Sequence, residues 1–222
     1  IKKYSRIVNL AKKNNFSVFE ILTNYGLFSG DNNLFKTLKI FELINSTKNI
    51  KGDIIELGIH KGNTSLLIKK ILDIYKIKKK LYLLDHFKGL LHYGAKDPKK
   101  SKKFYKKYKS PKKNIKDFLK FFNLKNVFFI DQDATKINYK LFKNKKFCLA
   151  YFDMDLYEPT FNALKAIDSS IVKGGIIVFD EGYKKLWGEK KAIEDFLKIN
   201  KKYKYEIINK YRQPDVYIKK IK

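Results

Sequence analysis

Short apolar runs that alternate with helical patterns constrain this chain more than any other feature. Five runs are predicted to be strands, at residues 53–57, 81–84, 127–130, 147–152 and 175–179. Helical patterns, with apolar residues three and four positions apart, cover residues 64–75, 159–171 and 189–199. Several of the runs are apolar at every position, which is typical of strands that are covered on both faces. We therefore predict an α/β fold, in which a doubly wound parallel sheet lies between layers of helices.

The two ends of the chain are expected to extend this core. Residues 4–49 show a helical pattern interrupted by a loop at residues 26–31, and we predict that residues 1–50 form a helical N-terminal cap. Residues 203–208 and 216–218 are predicted to be two final strands, joined by a turn that contains Pro214. A length of 222 residues fits one domain. Two roles remain open for the cap, a homo-oligomer surface or a lid over the sheet.

Composition excludes several classes of protein. A hydrophobic share of 44% excludes global disorder, and no apolar run is long enough to span a bilayer. The basic N-terminus is not followed by an apolar segment of the kind found in secretory signals. Cys148 is the single cysteine, which excludes an intramolecular disulfide framework and a cysteine-based zinc site. We expect a soluble protein of a reducing compartment, the cytoplasm.

The net charge of +28 favours a polyanionic partner at first sight. However, only Arg6 and Arg212 are arginines among the 50 basic residues, and arginine is preferred for bidentate recognition of phosphates and base edges. We interpret most of this charge as solvated surface, and nucleic acid stays open as a less favoured partner. Residues 96–116 contain eleven lysines, which predicts either a solvated insertion or a lid that could bind an anionic substrate group.

Acidic residues close the predicted strands of this strongly basic chain. In open parallel sheets, ligands bind outside the carboxyl ends of the strands, so these positions are candidate site residues. The acids at or beside strand ends are Glu56, Asp85, Asp131, Asp133, Asp153, Asp155, Asp180 and Glu181. Their concentration at one edge of the sheet is the main functional signal in the residues themselves.

The turn after the first predicted strand favours a nucleoside ligand. Its pattern is Glu56-x-Gly58-x-x-x-Gly62, without the spacing of either common phosphate-binding glycine motif. Asp85 closes the second strand, where an acid can accept hydrogen bonds from ribose hydroxyls. A turn with no phosphate cradle suits S-adenosylmethionine, whose sulfonium charge is compatible with an acidic edge.

The fourth and fifth strand ends favour a cation. Asp153 and Asp155 lie two residues apart and would share a face if the strand extends to them, and Asp180-Glu181 closes the neighbouring strand. Carboxylates that converge in this way repel one another unless a cation lies between them. Oxygen ligands favour Mg²⁺, with Ca²⁺ and Mn²⁺ also open. The alternative is that these acids cap helices and pair with lysines.

Several motifs together resemble those of the macrocin O-methyltransferase (TylF-type) family. They are the Glu56 turn and the segments LLDHFKGL (83–90), FDMDLYEPT (152–160), KGGIIVFDEGY (173–183) and WGEKKAIEDFL (187–197). The resemblance covers about residues 50–200. It implies a Rossmann-like class I methyltransferase fold in a single domain, 1–222, with a mostly parallel seven-stranded sheet and an antiparallel C-terminal strand. It also implies an S-adenosylmethionine-dependent enzyme that methylates a hydroxyl of a sugar or glycosylated small molecule.

The resemblance also implies residue roles. The cofactor-binding residues would be Glu56, Gly58, Gly62, Ser65, Asp85 and Asp133. The metal ligands would be Asp153, Asp180 and Glu181, with Asp155 as the general base, so that Asp153 and Asp155 are the catalytic pair. Two positions depart from the pattern. Glu181 stands where the family often has a second aspartate, and Gln132 stands where a glycine is expected.

Three alternatives remain. The first is an RNA or DNA methyltransferase, although the chain has no N-P-P-[YF]-like motif. The second is an inactive binding module of the same fold. The third is a non-haem iron oxygenase, which needs two histidines and a carboxylate, and the spacing of His60, His86 and His92 gives no such motif.

Overall fold

Within the part of the chain that the structure describes, the sheet has seven strands, as expected. The computed structural model describes residues 8–9, 11–23 and 31–222, so residues 26–30 of the predicted N-terminal loop lie outside the described residues. The strands are β1 (Asp53–Leu57), β2 (Leu81–Asp85), β3 (Val127–Asp131), β4 (Phe147–Phe152), β5 (Ile171–Phe179), β6 (Tyr203–Ile207) and β7 (Val216–Lys220). They are ordered β3-β2-β1-β4-β5-β7-β6. Strands β1 to β5 pair in parallel, and β7 is antiparallel to both of its neighbours.

Helices cover both faces of the sheet. The α-helices of the described residues are α1 (Val18–Thr23), α2 (Asp31–Thr47), α3 (Asn63–Ile74), α4 (Lys112–Phe121), α5 (Tyr157–Ile167) and α6 (Glu189–Ile199). The apolar side chains of α2, α3 and α4 belong to one buried cluster, which includes Ile40, Ile68 and Ile115. Those of α5 and α6 belong to a second cluster on the opposite face, which includes Leu164 and Phe196. The predicted doubly wound α/β fold is confirmed, and α2 forms part of a helix layer of the core.

One predicted boundary is wrong. The helix expected over residues 159–171 ends at Ile167, a short 3₁₀ turn follows at Asp168–Ser170, and β5 begins at Ile171. Gly174 and Gly175 hide the first part of β5 in the sequence because glycine normally marks a turn. In the structure they lie within the strand, where the register with β4 shifts between Phe147 and Leu149. None of the described helices is both long and apolar enough to cross a membrane.

Gly58 lets the ends of β1 and β4 approach each other closely. Its φ angle is +85°, in the region that side-chain-bearing residues rarely adopt. A Cβ atom built on Gly58 would lie 2.0 Å from the carbonyl oxygen of Asp153. The turn after β1 therefore requires glycine for two separate reasons, conformation and space.

We predict that Gly58→Ala destabilises the fold more than a matched glycine substitution does. Gly174 also has a positive φ, +80°, but a Cβ there would meet only the Ile50 Cδ1 atom at 3.4 Å. Each substitution costs about 1–2 kcal/mol from the backbone conformation alone. Gly58→Ala adds a steric term of about 1–3 kcal/mol. Urea denaturation of both variants measures the difference, and equal free energies of unfolding would contradict this account of the turn.

Candidate active site

A cavity of about 260 Å³ lies at the carboxyl edge of the sheet. Gly58 and Asp85, from the ends of β1 and β2, line one part of it. Asp153, Asp155 and Glu181, which follow β4 and β5, line another part. Two of the predicted cofactor residues and three of the predicted catalytic or metal residues therefore border one space.

Glu56 and Ser65 are buried and are not among the residues that line the cavity. The Ser65 hydroxyl, on α3, donates a hydrogen bond to the Glu56 carboxylate, and Glu56 is buried. Burial raises the pKa of Glu56 to about 8, against the opposing effect of this hydrogen bond. The pair ties β1 to α3, and Gly62 precedes the first residue of α3 with a φ of +82°. Glu56, Ser65 and Gly62, all predicted to bind the cofactor, therefore stabilise the turn between β1 and α3.

Asp85 connects two turns at the edge of the sheet. Its Oδ2 atom accepts hydrogen bonds from the backbone N–H groups of Ile59, at 2.8 Å, and His60, at 3.4 Å. Its Oδ1 atom accepts one from Phe87 N–H at 2.6 Å. A carboxylate offers about four acceptor positions, so about one is left for a ligand hydroxyl. Asp85 can thus position the β1 turn and contact a ribose from the same side chain.

Asp133 contributes to a cluster that the sequence did not indicate. His92 Nε2 lies 2.9 Å from Asp133 Oδ2, and the rings of His86 and His92 are 6.0 Å apart. Burial alone would raise the pKa of Asp133, but hydrogen bonds from Thr135 and the neighbouring histidines lower it. His86 and His92 line the cavity, whereas Asp133 does not.

Two histidines and one carboxylate thus come together despite their uninformative spacing. One possible ligand atom from each of His86, His92 and Asp133 lies within 4.8 Å of the others. The His86 Nδ1 atom accepts a hydrogen bond from Lys88 N–H, and His92 is hydrogen-bonded to Asp133. Both rings therefore have protein partners without an ion. The loop after β2 brings them together, and no periodic pattern could have shown this.

Asp153 and Asp155 both line the cavity, but they do not lie on one face of a continuous strand. Strand β4 ends at Phe152, and Asp155 has a φ of +61°, so strand alternation does not place it. Burial, followed by the charge of Asp180, raises the pKa of Asp153 to about 7. Burial and the adjacent Asp153 raise the pKa of Asp155 well above its ordinary value. Both carboxyl groups therefore hold protons more tightly than an exposed aspartate does.

Asp180 has its partners away from the cavity. It is 4% exposed, and its Oδ1 atom accepts hydrogen bonds from Lys36 Nζ, at 2.9 Å, and from the Tyr151 hydroxyl. Glu181 lines the cavity, lies 3.0 Å from Lys184 Nζ, and accepts a hydrogen bond from the Gln213 amide. Among the described residues, the predicted metal ligands Asp153, Asp180 and Glu181 are not a group that brings its ligand atoms within 4.8 Å.

One oxygen of the predicted metal ligands is already in contact with a protein cation. Asp180 Oδ1 lies 2.9 Å from the Lys36 ammonium nitrogen, so a divalent ion would need the other oxygen of Asp180. The predicted Mg²⁺ site stays a prediction and enters no step of the chemistry derived below.

Two further buried carboxyl groups hold the segment that follows β5. Glu189 Oε2 accepts a hydrogen bond from Glu181 N–H at 2.8 Å, and Asp215 Oδ1 accepts one from Tyr183 N–H at 3.0 Å. Burial raises the pKa of Asp215 to about 7 and that of Glu189 well above its usual value. Sequence reasoning missed both residues because neither lies at the end of a parallel strand.

Comparisons with known proteins agree with this geometry. The family model described as Macrocin-O-methyltransferase (TylF) matches residues 28–217. The solved structure of CalS11, calicheamicin methyltransferase, is similar with a TM-score of 0.76 and 21% identity, over 98% of this chain and 91% of that one. The structure of the O-methyltransferase NovP is similar with a TM-score of 0.70 and 18% identity, over 84% and 79% of the two chains.

A more distant structure shows the same fold, and the sequence comparison adds nothing further. A putative caffeoyl-CoA O-methyltransferase from Staphylococcus aureus has a TM-score of 0.58 and 13% identity, over 100% of both chains. No curated protein sequence matches this chain. Because the family model spans most of the sequence and the fold is that of class I methyltransferases, this chain belongs to the macrocin O-methyltransferase (TylF) family of S-adenosylmethionine-dependent O-methyltransferases.

Proposed function

We propose that this protein transfers a methyl group from S-adenosylmethionine to a hydroxyl of a sugar or of a glycosylated small molecule. The observation that carries the proposal is the cavity itself, which is lined by both Asp85 and the half-buried carboxyl group of Asp155. The similar protein CalS11 is described as a TDP-rhamnose 3'-O-methyltransferase, which favours a sugar linked to a nucleotide as the acceptor class.

The donor would lie along the ends of β1 and β2. Gly58 allows the backbone of the turn to come close to a ligand, and Asp85 offers its remaining acceptor position to a ribose hydroxyl. When bound, S-adenosylmethionine supplies an electrophilic methyl group on a positively charged sulfur. The acidic lining of the cavity favours that charge over neutral analogues.

Asp155 is the residue best suited to take the proton of the acceptor hydroxyl. A general base works best when its pKa is close to the working pH, and burial together with Asp153 raises the pKa of Asp155 in that direction. Asp153 contributes through its charge, which makes Asp155 a stronger base. Holding the hydroxyl oxygen and the methyl group in line would supply much of the remaining rate enhancement.

Aromatic side chains form the acceptor side of the cavity. Trp187 and Tyr108 both line it, and the Trp187 ring lies 4.8 Å from the ring of Phe104. Phe104 and Tyr108 belong to the lysine-rich segment 96–116, so this segment contributes to the wall of the cavity. Flat aromatic surfaces with a polar edge suit the faces of a sugar ring.

We predict that S-adenosylhomocysteine stabilises the protein through Asp85. A ligand at 100 times its Kd contributes about 2.7 kcal/mol, which is a rise in Tm of about 5–10 °C for a chain of this size. Asp85→Asn should reduce the rise, whereas Asp73→Asn, a matched change at an exposed aspartate on α3, should keep it. Differential scanning fluorimetry measures all three proteins. No shift in the wild type at millimolar ligand would contradict the donor site.

We predict that Asp155→Asn lowers kcat at least about 100-fold, because a proton acceptor is lost while the cavity keeps its shape. In the wild type, kcat/KM should rise with pH through the raised pKa of Asp155, since only the deprotonated carboxylate can accept the proton. In the variant this rise should disappear. Glu158→Gln, an exposed change on α5, serves as the control.

The assay for both variants is methyl transfer to a panel of nucleotide-linked sugars, followed by mass spectrometry. A wild-type pH profile that is retained in Asp155→Asn would remove Asp155 as the base. Methylation of RNA but of no sugar would replace the proposed acceptor with nucleic acid. The cytoplasmic location and the homo-oligomer remain predictions from the sequence.

A further inference from the structure

A buried aspartate at the start of the lysine-rich segment joins distant parts of the chain. Asp97 is 5% exposed and is not among the residues that line the cavity. Its Oδ2 atom accepts a hydrogen bond from Gly94 N–H at 2.8 Å, and its Oδ1 atom accepts one from Tyr157 N–H at 2.8 Å. Tyr157 is the first residue of α5, and Asp155 precedes it by two residues. The Asp97 side chain therefore fastens residues 94–97 to the segment that carries the proposed base.

The turn before α6 packs against the same carboxyl group. A Cβ atom built on Gly188 would lie 1.9 Å from Asp97 Oδ1 and 2.5 Å from the backbone nitrogen of Tyr157, so the close approach requires glycine. Glu189, the next residue, donates its backbone N–H to the carbonyl oxygen of Asp155 at 3.0 Å. Asp155 has a φ of +61°, a conformation that persists where surrounding contacts hold it. Asp97, Gly188 and the start of α5 thus form one junction, called the Asp97 junction below.

Two aromatic residues of the cavity wall are attached to the Asp97 junction. Trp187 directly precedes Gly188, and its ring lies 4.8 Å from the ring of Phe104 in the lysine-rich segment. The Phe104 ring stacks in turn on that of Tyr108, at 6.0 Å. Trp187 and Tyr108 both line the cavity. A shift of the junction would therefore move this aromatic wall relative to the proposed base.

We propose that Asp97 is a positioning residue, which sets where the acceptor hydroxyl lies relative to Asp155. Asp97 does not line the cavity, so it acts by holding the aromatic wall against the chain that follows the base. This inference rests on the methyl transfer proposed above. On the donor side, Asp85 holds the turn after β1 through contacts of its own. Loss of the Asp97 contacts should therefore affect the acceptor and leave the donor in place.

Two substitutions disturb the Asp97 junction from opposite sides. Asp97→Asn nearly keeps the shape of the side chain, but it replaces one acceptor oxygen by an amide donor. It therefore cannot accept hydrogen bonds from Gly94 and Tyr157 as the carboxylate does. Gly188→Ala leaves the carboxylate intact and displaces it, because the new methyl group needs the space that Asp97 Oδ1 occupies.

An aspartate with a merely structural role would behave differently, and Asp168 provides the matched control. Its carboxylate accepts hydrogen bonds from the Tyr203 hydroxyl and from the Asn200 side chain, each at 2.9 Å. It lies in the turn before β5, at the opposite edge of the sheet from the cavity. Asp168→Asn should therefore lower Tm without loosening the aromatic wall.

The first measurement is fluorescence quenching of Trp187, which is the single tryptophan of the chain. Trp187 is 6% exposed, so acrylamide, a neutral quencher that the many lysines do not attract, should quench it weakly in the wild type. In Asp97→Asn and Gly188→Ala the Stern–Volmer constant should rise at least about twofold, because a loosened wall opens locally. Asp168→Asn should match the wild type. The affinity for S-adenosylhomocysteine, measured by calorimetry, should be unchanged in all three variants.

The second measurement is turnover of the nucleotide-linked sugar that the wild type methylates best. In Asp97→Asn the acceptor KM should rise and kcat/KM should fall about tenfold, the equivalent of one lost hydrogen bond to a charged group. The KM for S-adenosylmethionine should stay as in the wild type. This split between acceptor and donor is not expected from a general loss of stability, which Asp168→Asn controls for.

Unchanged quenching in Asp97→Asn, or an equal rise in Asp168→Asn, would overturn the proposal. An unchanged acceptor KM and kcat/KM in Asp97→Asn would overturn it as well. If Gly188→Ala does not fold, the nearly isosteric Asp97→Asn decides. Because the quenching assay needs no methyl transfer, its outcome is distinct from a failure of S-adenosylhomocysteine to bind or of any sugar to be methylated, which concerns the proposed function.

Discussion

The ion pair between Lys36 and Asp180 connects the N-terminal helix to the edge of the sheet where the chemistry is proposed to occur. Asp180 is almost fully buried, and a buried carboxylate that loses its partner typically destabilises a protein by about 3–5 kcal/mol. The partner comes from 144 residues earlier in the chain. Helix α2, β4 and β5 are therefore held together by the same contact that balances the charge of the site.

The edge carboxylates form two groups, those that border the cavity and those that have protein partners away from it. Asp153, Asp155 and Glu181 border the cavity, together with Asp85. Glu56 and Asp180 lie behind it, where one is hydrogen-bonded to Ser65 and the other to Lys36 and Tyr151. Desolvation and the neighbouring carboxylates raise the pKa values of two of the acids that border the cavity, Asp153 and Asp155. Carboxyl groups at this edge of the sheet therefore serve both the proposed reaction and the contacts that hold the strands and helices together.

Much of the fold was predictable because hydrophobic periodicity is local. The α6 boundaries and the alternation of β1 to β5 with α3, α5 and α6 follow from it, whereas α4 was not predicted. The rule for ligand sites in parallel sheets predicted the edge at which the cavity lies. The end of α5 was missed because Gly174 and Gly175 lie within β5. The contact between Lys36 and Asp180 could not be predicted, since a lysine on an amphipathic helix has the pattern of a surface residue. The meeting of His86, His92 and Asp133 depends on a loop, which has no period.

The most direct test of this account is a crystal structure of the wild type grown with S-adenosylhomocysteine. The account predicts the ligand in the cavity beside Gly58, with a ribose hydroxyl in contact with the Asp85 carboxylate. A ligand bound outside this cavity, or a ribose that does not contact Asp85, would contradict it.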